Sequence, residues 1–241
     1  MGLEGHGFDV RYPMGDSPPR ELTARAYARA LIERSEVDTS RLGGVLGYCM
    51  AGHIAHEVAA QVTAERMAPP ALILFDSGPC LAEEIAEECR AALKLFGGEQ
   101  LSAVLDDRAG PGLLSAECLR DSPDRSVQLV ERALHEYAIS LYPDAAAYPE
   151  EAEETAAPLV DHFIEWLAYL VAAHNTVTPA WSGHVLHLIS RGHSHRDEWP
   201  GVASTTTRVV DCDRNSLLAA AEARDLVIAH IQVGVSDVGH R

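Results

Sequence analysis

The stretch from Gly43 to Asp76 constrains the fold more than any other part of the chain. It opens with a compact apolar run, GGVLGY (Gly43 to Tyr48), passes through Cys49 and enters a long helical pattern, HIAHEVAAQVTAERM, that stops before Pro69 and Pro70. Apolar residues then run unbroken from Ala71 to Phe75, ALILF, between those prolines and Asp76. A short apolar run with such boundaries suits a strand buried on both faces of a parallel sheet. Strand, turn, helix and strand therefore succeed one another with almost no linker, and that alternation specifies a parallel sheet covered by helices.

The flanks extend the pattern. Phe8 to Tyr12, FDVRY, alternates like a strand and ends at Pro13 and Gly15. Glu21 to Arg34 places Leu22, Ala26, Tyr27, Ala30 and Leu31 along one helical face. His184 to Ile189, HVLHLI, and Thr206 to Val210, TTRVV, are further strand candidates, and Ser216 to Ile231 is a closing helix. From Cys80 to about Pro179 the sequence offers no convincing strand, only Glu- and Ala-rich helical stretches such as LAEEIAEECRAALKLF and PLVDHFIEWLAYLVAAH. The expected architecture is one α/β domain over residues 1–241, a mostly parallel sheet with helices on both faces and an inserted helical lid at about 80–179. The acidic run Glu150 to Glu154, EEAEE, reads as a solvated helix face or linker rather than a cation site, because a charge run alone lacks ligand geometry.

Composition narrows the partners. With 36 acidic against 19 basic residues the formal charge is −17, which disfavours nucleic acid and anionic lipid. Cys49, Cys80, Cys89, Cys118 and Cys212 show neither CxxC spacing nor the density of a disulfide scaffold, so a reducing cytoplasm is expected. The first twenty residues contain no apolar signal core, and no window approaches about eighteen uninterrupted apolar residues, so no membrane span is expected.

The hexapeptide Gly47-Tyr48-Cys49-Met50-Ala51-Gly52 stands where chemistry is easiest to build. A nucleophile elbow needs small residues two places before and after the reactive one, because the turn is tight and strained; Gly47 and Ala51 fill those places. The turn also sets a nucleophile at a helix N-terminus, where free N–H groups and the dipole favour an anion. A buried structural cysteine is the bland alternative. Asp76, 27 positions beyond Cys49, follows the next buried strand, and catalytic groups of parallel sheets gather at the carboxyl ends of strands. With no function, such an aspartate would cap a turn through Ser77, Gly78 and Pro79.

On these residues, VLGYCMAGHIAHEVAAQV followed by ALILFDS, the chain resembles the thioesterase family of nonribosomal peptide and polyketide assembly lines, within the α/β-hydrolase superfamily. The likeness runs from about Phe8 to Ile231, specific in the block from the elbow to Asp76 and weak through the lid. It implies an acyl group received from the phosphopantetheine thiol of an acyl or peptidyl carrier protein and released or transferred, with no cofactor and no metal. Cys49 becomes the nucleophile, Asp76 the orienting acid and the Met50 N–H one oxyanion donor. The lid would define the acyl pocket, although Phe163, Trp166 and Tyr169 at helical spacing read as packing.

Three departures shape the expectation. Cysteine replaces the family's serine; an acyl-cysteine is itself a thioester, so loading is nearly thermoneutral and the acyl group stays activated for transfer or ring closure. Arg214, in Cys212-Asp213-Arg214-Asn215-Ser216, occupies the place of the family's histidine base and cannot accept a proton at neutral pH, although it can hold a thiolate or a substrate carboxylate. His193, or else His195 two residues on, is the substitute base in that reading, since both follow the HVLHLI strand. His53 and His56, three apart after the elbow, have no third ligand at metal spacing. Finally, only about seven residues precede FDVRY, where the family carries a strand and the second oxyanion donor. The leading expectation is a thioesterase-like enzyme acting through acyl-Cys49 on carrier-bound acyl or aminoacyl thioesters. The alternatives are a catalytically degenerate scaffold of a biosynthetic complex and a small-ester hydrolase.

Overall fold

The computed structural model describes residues 1–12, 18–35, 37–65, 68–94, 112–142, 147–195 and 197–238, with side chains to 232. Four strands form one sheet in the order β1-β2-β3-β4: β1 Gly44–Tyr48, β2 Ala71–Phe75, β3 Trp181–Ile189 and β4 Val202–Val209. All three pairings are parallel, with Tyr48 opposite Phe75, Phe75 opposite Leu188 and Leu188 opposite Arg208, so the carboxyl ends of the strands are level. The chain divides into two compact units, one of Met1–Asp16, Ala24–Pro79 and Thr176–Arg241, the other of Ser17–Thr23 and Cys80–Asn175.

In the sheet unit, period-two alternation explains why ALILF is apolar throughout. Ile73 and Phe75 point to one face, where they pack with Leu186, Leu188, Val227 and Ile231; Leu72 and Leu74 point to the other, with Val185, Ala55, Ala59 and Trp199. The first cluster is roofed by α7, Ala221–Val238, and the second by α2, Ala51–Ala64. Helix α1, Ala24–Arg34, buries Tyr27, Ala28 and Leu31 and is tied to α2 where Gln61 Nε2 donates to the Arg25 carbonyl at 2.9 Å. The sheet is thus parallel and covered on both faces, as expected.

Two local expectations are corrected. Phe8 to Tyr12 is not a strand: after a 3₁₀ turn at Leu3–His6 closed by Gly7 in the left-handed region, this segment lays Phe8 and Val10 on the α7 side of the core without entering the sheet. Side-chain packing alone satisfies its alternation. The closing helix is broken in two, a 3₁₀ turn Arg214–Ala219 and then α7, separated by Ala220 in extended conformation. Strands β3 and β4 also begin earlier than the apolar runs that announced them, because their first halves carry Ser, Gly and Thr and lack the apolar signature.

The second unit is built from helices: α3 at 82–94, α4 Ala116–Asp121, α5 Pro123–Ser140 and α6 Pro149–His174. Helices α5 and α6 pack together, burying Val127, Val130 and Leu134 on one and Val160, Phe163, Ile164 and Leu167 on the other. Arg20 joins Asp161 at 2.6 Å, and Asn175 Nδ2 donates to the carbonyls of Leu22 and Leu119. Glu150 to Glu154 forms the first turns of α6, where acidic residues favour the helix N-terminus. By length and hydropathy α6 could cross a membrane, but much of it is buried inside the protein, as in the core helix of a globular fold.

Candidate active site

Cys49 directly follows β1 and α2 begins two residues later, so a two-residue turn joins strand to helix. Cys49 has φ 55°, in the left-handed region that L-residues avoid. The turn is pinned by the Cys49 N–H, which donates to the Phe75 carbonyl at 2.8 Å, and by the Gly52 N–H, which donates to the Cys49 carbonyl at 3.1 Å. It also explains the small residues. A Cβ on Gly47 would lie 2.8 Å from the Ala55 Cβ and 2.9 Å from the Gly52 Cα, and one on Gly52 would lie 2.7 Å from Ser77 Oγ. Met50 is the N-cap residue of α2, and N–H groups in the first turn of a helix have no intrahelical acceptor.

Arg214 reaches the sulfur. Its 3₁₀ turn is capped by Asp213, whose carboxylate accepts from the Ser216 N–H at 2.9 Å; hydrogen bonds from Ser216 hold that carboxyl below its ordinary value. From there the guanidinium extends over Tyr48. Nε donates to the Tyr48 hydroxyl at 3.2 Å, Nη2 donates to Cys49 Sγ at 2.8 Å, and the guanidinium carbon sits 5.8 Å from the Tyr48 ring centroid. The Tyr48 hydrogen bond raises the arginine pKa further, against partial burial, and the Cys49 charge adds to the rise. Where the family resemblance expects a base, the sulfur therefore meets a permanent cation.

The other cysteines are dull by comparison. All five are free thiols; burial pushes Cys89 up to about 12 and also raises Cys212, and Cys80 donates to the Leu170 carbonyl at 3.7 Å.

Asp76 directly follows β2, with φ 42° and a fully buried side chain. Its N–H donates to the Leu188 carbonyl at 3.0 Å, and its Oδ1 accepts from the Ser190 N–H at 2.7 Å. Oδ2 is buried and has no partner among the described residues. His193 Nδ1 lies 3.8 Å from Asp76 Oδ1, while Nε2–H donates to the Ser77 carbonyl at 3.1 Å. Of the predicted residues, then, Cys49 meets Arg214 and Asp76 neighbours His193. His193 directs its Nε2 proton at a backbone carbonyl, and the recorded side-chain donor to the sulfur is Arg214. His195 lies against Gly78, with Nδ1 3.9 Å from Asp197 Oδ2.

Sequence reasoning missed a clamp of imidazoles on the turn after β2. His187, on β3, accepts the Ser77 N–H at Nε2, 3.2 Å away, and His53, on α2, donates to the Gly78 carbonyl at 3.0 Å. With His193, three histidines thus hold consecutive peptide groups beside Asp76. Accepting at Nε2 leaves the proton of neutral His187 on Nδ1, which is buried without a partner among the described residues. The one available signal was a histidine within the apolar second half of β3, opposite Leu74.

His187 and His56 are both pushed down to about 4, mainly by burial and then by neighbouring histidines. Unfolded histidine titrates near 6.5, so between about 6.5 and 4 the unfolded chain binds protons that the native protein refuses, and stability falls as pH drops through that window. The expected loss approaches roughly 3 kcal/mol for each histidine. Urea unfolding at pH 7 and pH 4.5 checks it, and His56→Gln should flatten the decline.

Cys49 in its strained turn and Asp76 after the next strand thus stand at the carboxyl edge of one parallel sheet, with the Arg214 guanidinium on the Cys49 sulfur. No family model matches the sequence, and no curated protein matches it either. Among solved structures, the chain is similar to the Vlm2 thioesterase domain bound with a dodecadepsipeptide, at 15% identity over 90% of this chain and 77% of that one, with a TM-score of 0.44. It is also similar to a holo four-domain nonribosomal peptide synthetase bound to AMP and glycine, at 18% identity over 90% of this chain and 16% of that one, TM-score 0.45. A third is the RedJ thioesterase of the prodiginine pathway in Streptomyces coelicolor, at 16% identity over 90% of this chain and 69% of that one, TM-score 0.40. At such scores the fold and site stand on this chain's own sheet and side chains.

Proposed function

We propose that this chain is a thioesterase-like enzyme that takes acyl or aminoacyl groups from carrier-protein thioesters onto Cys49 and passes them to an acceptor, with transfer or cyclisation favoured over hydrolysis. The observation that carries this reading is the Arg214 Nη2 to Cys49 Sγ contact of 2.8 Å at the elbow. A guanidinium stabilises an anionic sulfur without being able to take its proton. Cys49 gives its proton to solvent and the thiolate attacks the donor carbonyl carbon; the bond from that carbon to the pantetheine sulfur breaks, and the leaving thiolate takes a proton back from solvent. The Met50 N–H and Arg214 supply donors to the oxyanion. The acceptor then repeats the step in reverse, with its nucleophile displacing the Cys49 sulfur.

Water is the poor acceptor in this scheme because it needs a base to lose a proton as it attacks, whereas a thiol, far more acidic, ionises in a usable fraction before it attacks. His193 is the imidazole proposed for that proton, beside Asp76 as its orienting acid, and its engagement with the Ser77 carbonyl makes hydrolysis the slow branch. In an assay with an acyl-loaded carrier, a second holo carrier and water as competing acceptors, the acyl group is expected on the second carrier in excess over free acid. Cys49→Ala is expected to lose both products. A degenerate scaffold would give neither product in the wild type, and a small-ester hydrolase would give chiefly free acid.

A further inference from the structure

Arg214 is positioned to select the substrate as well as to hold the thiol. Its contacts fix the guanidinium plane: Nε on the Tyr48 hydroxyl at 3.2 Å, Nη2 on Cys49 Sγ at 2.8 Å, and the ring of Tyr48 beneath. Arg11, Arg20, Arg191 and Arg224 each form an ion pair with a carboxylate, whereas among the described residues none forms one with Arg214. Its side-chain partners are the Tyr48 hydroxyl and the Cys49 sulfur. Once Cys49 is acylated the pair with the sulfur is weakened, because a thioester sulfur is neutral and a poor acceptor. The guanidinium is then left beside the acyl carbonyl in a chain whose net charge is −17.

An acyl group that carries its own carboxylate restores the pair. From the geometry we infer that the preferred donors are half-thioesters of short dicarboxylic acids, of the malonyl type, with the carboxylate one carbon beyond the thioester carbonyl. At that distance from Sγ the carboxylate can meet the Nη1 and Nη2 edge of the fork, the bidentate arrangement in which arginine binds carboxylates best. Longer diacids carry the charge past the fork. The pairing exists in the bound substrate as well as in the transition state, so it acts largely on KM. In a chain with a net charge of −17 the cation on the sulfur offsets the repulsion that such an anion otherwise meets. The inference rests on the reading of Cys49 as the acyl acceptor.

Single-turnover loading of malonyl-, glutaryl- and acetoacetyl-pantetheine, followed by intact mass, tests it; acetoacetyl is the neutral near-isostere of malonyl. Malonyl should load with a kcat/KM roughly 10- to 100-fold above acetoacetyl, with glutaryl close to acetoacetyl. In Arg214→Gln all three should slow and the malonyl preference should fall to within ~3-fold of unity, while Arg214→Lys should keep part of it. Equal loading of malonyl and acetoacetyl by the wild type, or a preference that survives in Arg214→Gln, overturns the carboxylate inference and leaves the acyl-Cys49 reading standing. Absence of an adduct with all three donors overturns both.

Discussion

An Arg214→His variant is expected to hydrolyse acyl-Cys49 about 10²-fold faster than the wild type, while loading more slowly. Position 214 touches the reacting sulfur, at 2.8 Å, yet its side chain cannot take a proton. A neutral imidazole in the same place can abstract one from water as it attacks the thioester, and a positioned general base contributes on the order of 10²- to 10⁴-fold. Loading suffers because the permanent charge that pairs with the thiolate is gone. The 3₁₀ turn that presents residue 214 is capped by Asp213 through the Ser216 N–H, so the substitution leaves the backbone device intact. Pre-loading Cys49 and following free acid over time measures the change. Unaltered hydrolysis would mean that another group already serves as base.

The second large effect concerns the elbow. Gly47→Ala places a methyl group 2.8 Å from the Ala55 Cβ, 2.9 Å from the Gly52 Cα and 3.0 Å from the Ala51 carbonyl oxygen, all belonging to the turn or to α2 and none of them a mobile side-chain end. Relief requires α2 to move from β1, and overpacking of this kind costs about 1–3 kcal/mol, or roughly 2–12 °C in Tm for a chain this size. Because α2 and the elbow move together, Cys49 should also leave the reach of Arg214, and loading should fall by more than stability alone explains. Gly192→Ala, which meets no atom within 4 Å, is the control and should change stability by less than about 0.5 kcal/mol. Thermal unfolding of the two variants side by side, with Cys49 alkylation as a second readout, checks both halves.

The sheet was legible where apolar residues carry it and illegible where they do not. ALILF coincides with β2 because that strand is buried on both faces, so every residue must be apolar. β4 was half hidden because its Ala203 to Thr205 segment is short and lacks large apolar residues at the sheet edge, and FDVRY misled because alternation also serves a chain lying on a core. The placement of Cys49 and Asp76 could be read because strand ends and tight turns have sequence signatures. That Arg214 can hold a thiolate was read from its place in the motif before the last helix, and the structure sets it on the Cys49 sulfur, 165 positions away; its bond to the Tyr48 hydroxyl could not be read, since a long side chain's target depends on the fold around it. The same holds for His187 and His53, which act on backbone groups and leave no spacing pattern.

The account turns on whether Cys49 carries the acyl group. Intact-protein mass spectrometry within seconds of mixing with an acyl-loaded carrier, followed by peptide mapping, addresses that directly. The expected result is a mass increase equal to the acyl group, located on the peptide containing Cys49, absent in Cys49→Ala and slower to form in Arg214→Gln. No increase, or an increase that persists in Cys49→Ala or maps to Cys118 or Cys212, would contradict it.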